Sequence, residues 1–346
     1  MDLIKRYSFL ILFVFLIGCD ESQEPEPQFQ EKKEFSPEEL TFIKSNQYIT
    51  QELFDYFETQ NETQFTISPL VFMHGLGIIS NAVSIEDRQL LISRAKLDQL
   101  SEGEGHKTAH ELTNYLFKKD SAVRFQLQSG LFYDKLHTLN PVFESITRAY
   151  YELEVLDMNF FSKNINNKMP GWCLTKGSTP HQITGGDKAH LWSNIHCLMY
   201  EEAKLCKRFE NEYLELQAYV MGDDGQHVLT LFKQKNDEAP VSIKDVVQQT
   251  AEADTVAYRT ALPDLNISFQ HNLTNICDYL GVNCFSKESN LPYLFHEKSK
   301  NGVVNSFLQM GKLEIAGDPG ITASFKQHQF ILTEQSSGTI LFMGRL

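Results

Sequence analysis

The last eighteen residues, from Gln329 to Leu346, constrain the fold more than any other stretch. Phe330-Ile331-Leu332 and Ile340-Leu341-Phe342-Met343 are unbroken apolar runs, and the polar turn Ser336-Ser337-Gly338 stands between them. Two short apolar runs around a glycine-bearing turn predict a buried β-hairpin. A hairpin is only marginally stable by itself, so a large core must surround it. The composition supplies that core: 42% of the 346 residues are hydrophobic, with 25 Phe and 13 Tyr. A chain of this size can bury one sizeable core.

At the other end, Lys5 and Arg6 precede an apolar run from Phe9 to Ile17, too short to span a bilayer comfortably and shaped like a secretory signal. Leu16-Ile17-Gly18-Cys19 resembles the lipobox of bacterial lipoproteins. That resemblance implies removal of residues 1–18, a diacylglycerol and palmitate-type acyl chains on Cys19, and a place in the cell envelope, facing the periplasm or the exterior. The alternative is an ordinary secretory signal that ends in Cys. Residues 20–35 are acidic and rich in Gln and Pro with almost nothing to bury, which predicts a flexible tether before a domain spanning 36–346.

The net charge of −14 argues against nucleic acid or other polyanions as partners. Five cysteines remain after Cys19: Cys173, Cys197, Cys206, Cys277 and Cys284, with no Cys-x-x-Cys spacing. They read either as scattered core thiols or as including a Cys277–Cys284 bridge. His106 and His110 stand four apart on a helical stretch beside Glu104 and Glu111, which reads as a metal pair without a third ligand or as a solvated face. Gly103-Glu104-Gly105 reads as a loop, and Asp223-Asp224-Gly225 as a hairpin turn. No His-Glu-x-x-His, Gly-x-Ser-x-Gly or phosphate loop is present, so no catalytic, cofactor or metal residues are assigned and no enzyme is expected.

Ser36-Pro37-Glu38-Glu39 is a helix-opening capping box with Pro at the first helical position. Leu40, Phe42, Ile43, Ile49, Leu53, Phe54 and Phe57 then give one apolar face, which breaks at Asn61-Glu62. Phe65-Thr-Ile-Ser-Pro-Leu70 comes after the break, and Gly75-Leu-Gly-Ile-Ile-Ser-Asn-Ala82 supplies small residues for close packing. Later come Leu131-Phe-Tyr133, Leu139-Asn-Pro-Val-Phe143 and Tyr150–Asp157. Ile165-Asn-Asn167 with Trp172, Gly177 and Ile183 comes next, and then Leu214–Val220 and Leu262-Pro-Asp-Leu265 with Leu280-Gly-Val282. In this order, and with Gly338-Thr-Ile-Leu-Phe-Met-Gly-Arg345 at the end, these segments resemble the serpin family. The resemblance implies an α+β fold of mixed β-sheets with a cluster of helices, some strands being shortened or lost. It also implies a monomer whose partner is a protease or another protein.

Serpin-type inhibition would need a long exposed loop that inserts into the central sheet after cleavage. Leu313-Glu-Ile315 matches the strand before that loop, but the residues after it, Gly317, Asp318, Pro319, Gly320, Ile321 and Thr322, read as a remnant. Only the ten residues Ala316–Phe325 precede Lys326, and Gly317–Gly320 reads as a tight turn. Trp192 stands before Asn194, where the resemblance implies a Gly-x-Trp after it. Ser68, Asn194 and Gln309 take positions of the family's polar shutter cluster, Gln309 in place of a His; simple helix and strand satisfaction also explains Ser68 and Asn194. A non-inhibitory binding or structural module is therefore favoured, with an inhibitor of serine or cysteine proteases at the envelope as the alternative. A decayed gene is a third reading.

Overall fold

The computed structural model describes residues 33–118, 120, 122–133, 137–157, 188–200, 202–222, 225–236, 241–282, 291–296, 303–325 and 327–346. Cys19 and the segment from Ile165 to Ile183 lie outside the described residues, as do Cys173 and Cys284.

Helix α1 (Pro37–Thr59) opens on the expected capping box. Ser36 Oγ accepts from the Glu39 amide at 3.2 Å, and the Glu39 carboxylate accepts from the Ser36 amide at 3.0 Å. Its inner face buries Phe42, Ile43, Ile49, Leu53 and Phe57, and it ends where Asn61 turns left-handed at φ 54°. Lys33 and Phe35, counted into the tether on composition, pack on this domain. Lys33 Nζ sits 2.5 Å from Glu39 and 4.5 Å from the centre of the Tyr115 ring, which Phe35 meets edge-on at 5.7 Å.

Strand β1 (Phe65–Ile67) leads through Ser68 into α2 (Pro69–Ser80), which is apolar all round and nearly wholly buried. Such a helix belongs in a core, not on a surface. Its small residues are required: a Cβ on Gly75 would overlap the Phe307 ring, and one on Gly77 the Tyr151 hydroxyl. Helices α3 (Ile85–Arg94) and α4 (Glu102–Leu116) come after it. The Gly103–Gly105 stretch, expected as a loop, is the first turn of α4, because Ser101 and Glu104 form a second capping box ahead of it. Strand β2 (Val123–Tyr133), helix α5 (Pro141–Tyr151) and strand β3 (Glu154–Asp157) come next.

Strands β4 (Lys188–Met199), β5 (Ala203–Glu210), β6 (Leu214–Met221) and β7 (His227–Gln234) precede helix α6 (Ile243–Glu252). After it come β8 (Asp254–Thr260), β9 (Leu265–Asn272), helix α7 (Thr274–Tyr279), β10 (Val303–Ile315), helix α8 (Pro319–Ser324), β11 (Gln329–Glu334) and β12 (Ile340–Arg345). Strands β6 and β7 pair antiparallel with Met221 opposite His227; Asp223 and Asp224, on which a hairpin turn is expected, lie outside the described residues.

Two sheets result. One is five-stranded in the order β3-β2-β4-β10-β9; the other is seven-stranded in the order β1-β12-β11-β7-β6-β5-β8. Short strands do occur, with three residues in β1 and four in β3. The predicted terminal hairpin is β11–β12, and Phe330, Ile331, Leu332 and Ile340 to Met343 are all buried in it. Its turn is held by Glu334, whose carboxylate accepts from the amides of Ser336 (3.1 Å) and Ser337 (2.8 Å). Asn46 of α1 locks the hairpin to the helix. Its side chain accepts from the Ile340 amide at 2.7 Å and donates to the Ile340 carbonyl at 3.2 Å.

Candidate functional site

The seam between β4 and β10 carries two of the three shutter-like residues, Asn194 and Gln309. The two strands run parallel through twelve paired positions, from Val303 opposite Lys188 to Ile315 opposite Met199. Side chains alternate across a strand, so Ser193 and its partner Gln309 share the face turned to the core. Gln309 Nε2 donates to the Ser68 carbonyl at 2.7 Å, and its Oε1 accepts from the Ser68 amide at 3.4 Å. The Ser68 hydroxyl is engaged separately, capping α2 by accepting from the Val71 amide at 3.3 Å. On the same face Ser193 meets Ser129 of β2, the hydroxyls 2.9 Å apart.

Of the three shutter-like residues expected from sequence, the fold therefore joins Ser68 and Gln309. Asn194 lies one residue beyond Ser193 and faces the opposite side of the sheet. It is buried there, and its Oδ1 has no hydrogen-bond partner among the described residues. Ser129 and Ser193 are the members that sequence reading missed. Their signal was the parity of Ser193 with Leu191 and Ile195, which becomes useful only when the register with β10 is known.

On the outer face a charged clasp crosses the same seam. Glu314 of β10 accepts from Lys312 Nζ at 2.7 Å, and His196 Nε2 of β4 lies 2.8 Å from its other oxygen. The Lys312 hydrogen bond is the largest influence holding the Glu314 carboxyl below its ordinary pKa; partial burial opposes it and His196 reinforces it.

The connection after β10 is tied down. The Ala316 amide donates to the Met199 carbonyl at 3.1 Å, extending the seam by one bond. The Asp318 amide then donates to the Leu262 carbonyl at 2.7 Å, and Asp318 pairs with Pro263 as an isolated parallel bridge. Gly317 passes so close that a Cβ there would overlap the Leu262 carbonyl oxygen and the Pro263 backbone. Instead of the tight turn expected of Gly317–Gly320, the chain then forms the short helix α8. Asp318 caps it by accepting from the Gly320 amide at 2.7 Å, and Pro319 fills the first turn, where its missing amide costs nothing. Thr322 Oγ1 donates to the Asp264 carbonyl at 2.7 Å, and Ile321 packs on the core. Gly317, Asp318, Pro319 and Gly320 are exposed along one side of this bound path.

The histidine pair does not form a solvated face. His106 is buried, with Nδ1 2.8 Å from the Tyr151 hydroxyl, while His110 bonds Asn114 of its own helix. Cys197 and Cys206 are buried free thiols, and burial raises the Cys197 thiol well above its ordinary pKa. Among the described residues no three His, Cys, Asp or Glu side chains gather as metal ligands.

The family model described as "Serpin (serine protease inhibitor)" matches residues 44–184. This stretch runs from α1 through the seam's neighbour β2 and beyond β3. The two-sheet architecture is shared with solved structures. Uncleaved ovalbumin superposes with a TM-score of 0.73 at 12% identity, over 88% of this chain and 99% of that one. The chain has the serpin fold. Native protease nexin-1, crystallised with heparin, gives a TM-score of 0.68 at 14% identity over 90% of this chain and 99% of its own. A Manduca sexta serpin, serpin-12, gives 0.68 at 15% identity over 87% of this chain and 97% of its own. At these identities the likeness is one of fold. No curated protein matches the chain by sequence.

Proposed function

We propose that this serpin-family chain is a membrane-tethered binding or structural module that does not trap proteases. The observation that carries this reading is the bound path of Ala316–Phe325. An inserted strand matching the twelve-position seam would span about 40 Å. The whole connection from β10 to β11, residues 316–328, reaches at most about 47 Å fully extended, and only the part before a cut could insert, about half of that for a cut near its middle. Pro319 would also remove a ladder donor from the middle of a sheet. The tether to Lys33 and the lipid on Cys19 would hold the module at the bacterial envelope, facing the periplasm or exterior.

The test mixes the purified soluble domain with a panel of serine and cysteine proteases. Simple turnover or indifference agrees with a module. A denaturant-resistant covalent adduct with any of them would instead establish an inhibitor. The tether is tested by labelling cells with a fatty-acid analogue, which should mark the wild type and spare Cys19→Ser.

A further inference from the structure

A cleft of about 330 Å³ opens among α2, α4, β2 and the turn from α5 into β3. That is the lower end of the roughly 300–1,000 Å³ usual for small-ligand sites. Phe117, Leu127 and Tyr150 give it apolar walls, and Glu152 and Glu154 line it as well. Glu152 ends α5 in the left-handed conformation at φ 49°, and Leu153 turns inward, so both carboxylates lie exposed on the other side. Neither has an ion-pair or hydrogen-bond partner among the described residues. No Lys or Arg lines the cleft among those residues. None of residues 316–325 lines it either, so its role stands apart from the reactive-loop remnant.

Two exposed carboxylates by themselves make only a solvated rim, but this cleft also has an unpaired acceptor on a buried side chain. His74 of α2 lines it, is 7% exposed, and places Nε2 3.3 Å from the Tyr151 carbonyl. A carbonyl only accepts, so Nε2 carries the ring proton and donates. Nδ1 is left as a bare lone pair. It has no partner among the described residues and, unlike His106 Nε2, is not sealed from solvent. Burial is the main cause holding the His74 pKa at about 4; the Tyr151 bond opposes that shift and nearby His110 adds to it. The imidazole is therefore neutral at pH 7. Nδ1 and the two carboxylates all accept and cannot donate there. They do not converge on one point as metal ligands would.

We propose that this cleft binds a guanidinium group, its N–H donors shared between His74 Nδ1 and the carboxylates of Glu152 and Glu154. A guanidinium carries five N–H donors in one plane and no acceptor, and it sheds water more readily than an ammonium. The three donors of an ammonium radiate from one atom, which suits acceptors that do converge. The group arrives either on a small free cation or on an arginine side chain of another protein.

The experiment is a calorimetric titration of the full chain, held in neutral detergent, with propylguanidinium and with N-acetyl-arginine N-methylamide. Saturable one-to-one binding is expected, with propylurea and butylammonium each at least about tenfold weaker. Tighter binding of the blocked arginine assigns the site to a protein side chain, and tighter binding of propylguanidinium assigns it to a free cation. The double variant Glu152→Gln with Glu154→Gln changes only exposed side chains. It should fold and weaken propylguanidinium by about tenfold. In nitrogen-15 NMR the His74 Nδ1 signal should move upfield at saturation, as a lone pair does on gaining a donor. Non-saturating titration with both guanidinium probes, equal binding of propylurea or butylammonium, unchanged affinity in the double variant, or a stationary Nδ1 signal would overturn the proposal.

Discussion

The backbone amide of Asp318 donates to the carbonyl of Leu262 across 2.7 Å, and this bond turns a loop into part of the wall. Serpin-type inhibition would need the segment after β10 to leave the sheet and stand clear of it. Here Gly317 lies against the Leu262–Pro263 backbone, where only a residue without Cβ fits. Gly317→Val should force the connection off that wall and cost roughly 1–3 kcal/mol. Limited proteolysis should then cut faster within 316–325, in step with a lowered denaturation midpoint.

Gln309 replaces a pair of backbone hydrogen bonds that Ser68 cannot make at the junction of β1 and α2. Gln309→Leu keeps much of the volume and leaves the Ser68 amide and carbonyl buried without their partner. The expected cost is about 1–3 kcal/mol in urea denaturation. Asn194→Leu, on the opposite face, removes an amide whose Oδ1 is already unpaired, and should cost less than Gln309→Leu.

Two buried histidines set the acid side of the stability curve. Burial pushes the pKa of His74 down to about 4, partly countered by its bond to the Tyr151 carbonyl. Burial does the same for His227, whose pKa of about 4 is partly raised by Glu334 and Asp120. Because the folded values lie below the ordinary 6.5, the unfolded chain binds more protons between them. Stability is therefore full above about pH 6.5 and falls toward pH 4, by up to about 3 kcal/mol per histidine. His227→Phe should flatten that slope. Guanidinium titrations at pH 7 and at about pH 4.5 measure it, and an unchanged difference between the two pH values would contradict the assignment.

Lys33 and Phe35 are the first described residues seen to pack on the domain. Deleting residues 20–32 should leave the melting temperature unchanged, whereas continuing the deletion through Phe35 should lower it. The edge-on contact with Tyr115 is worth about 0.5–1.5 kcal/mol, and the exposed part of the Lys33–Glu39 pair adds little.

How far the sequence carried this picture depended on whether the signal was local. The β11–β12 hairpin and the Ser36 capping box are written in adjacent residues, and both stand where they were expected. Ser101 and Glu104 carried the same local code for α4, but the two glycines between and after them drew the reading toward a loop. The buried state of His106 has no local code, since it depends on Tyr151 arriving from α5. The shutter-like cluster was legible only in part for the same reason: Ser68 and Gln309 do meet. Asn194 matched by motif, but a one-residue difference in parity put Ser193 beside Gln309, and parity comes from a strand register set more than a hundred residues away. The bound path of α8 was half legible: the short length and Pro319 were visible, while the wall of Leu262–Asp264 that receives it was not.

The most direct test of the central claim is a melting curve recorded before and after a single cut between Gly317 and Ser324, with the cut mapped by mass spectrometry. A chain whose connection is too short to enter the β4–β10 seam should melt at the same temperature after cleavage, or lower. Strand insertion would add a ladder of hydrogen bonds and buried side chains. A rise of more than about 10 °C would therefore contradict the account and return the chain to the inhibitors.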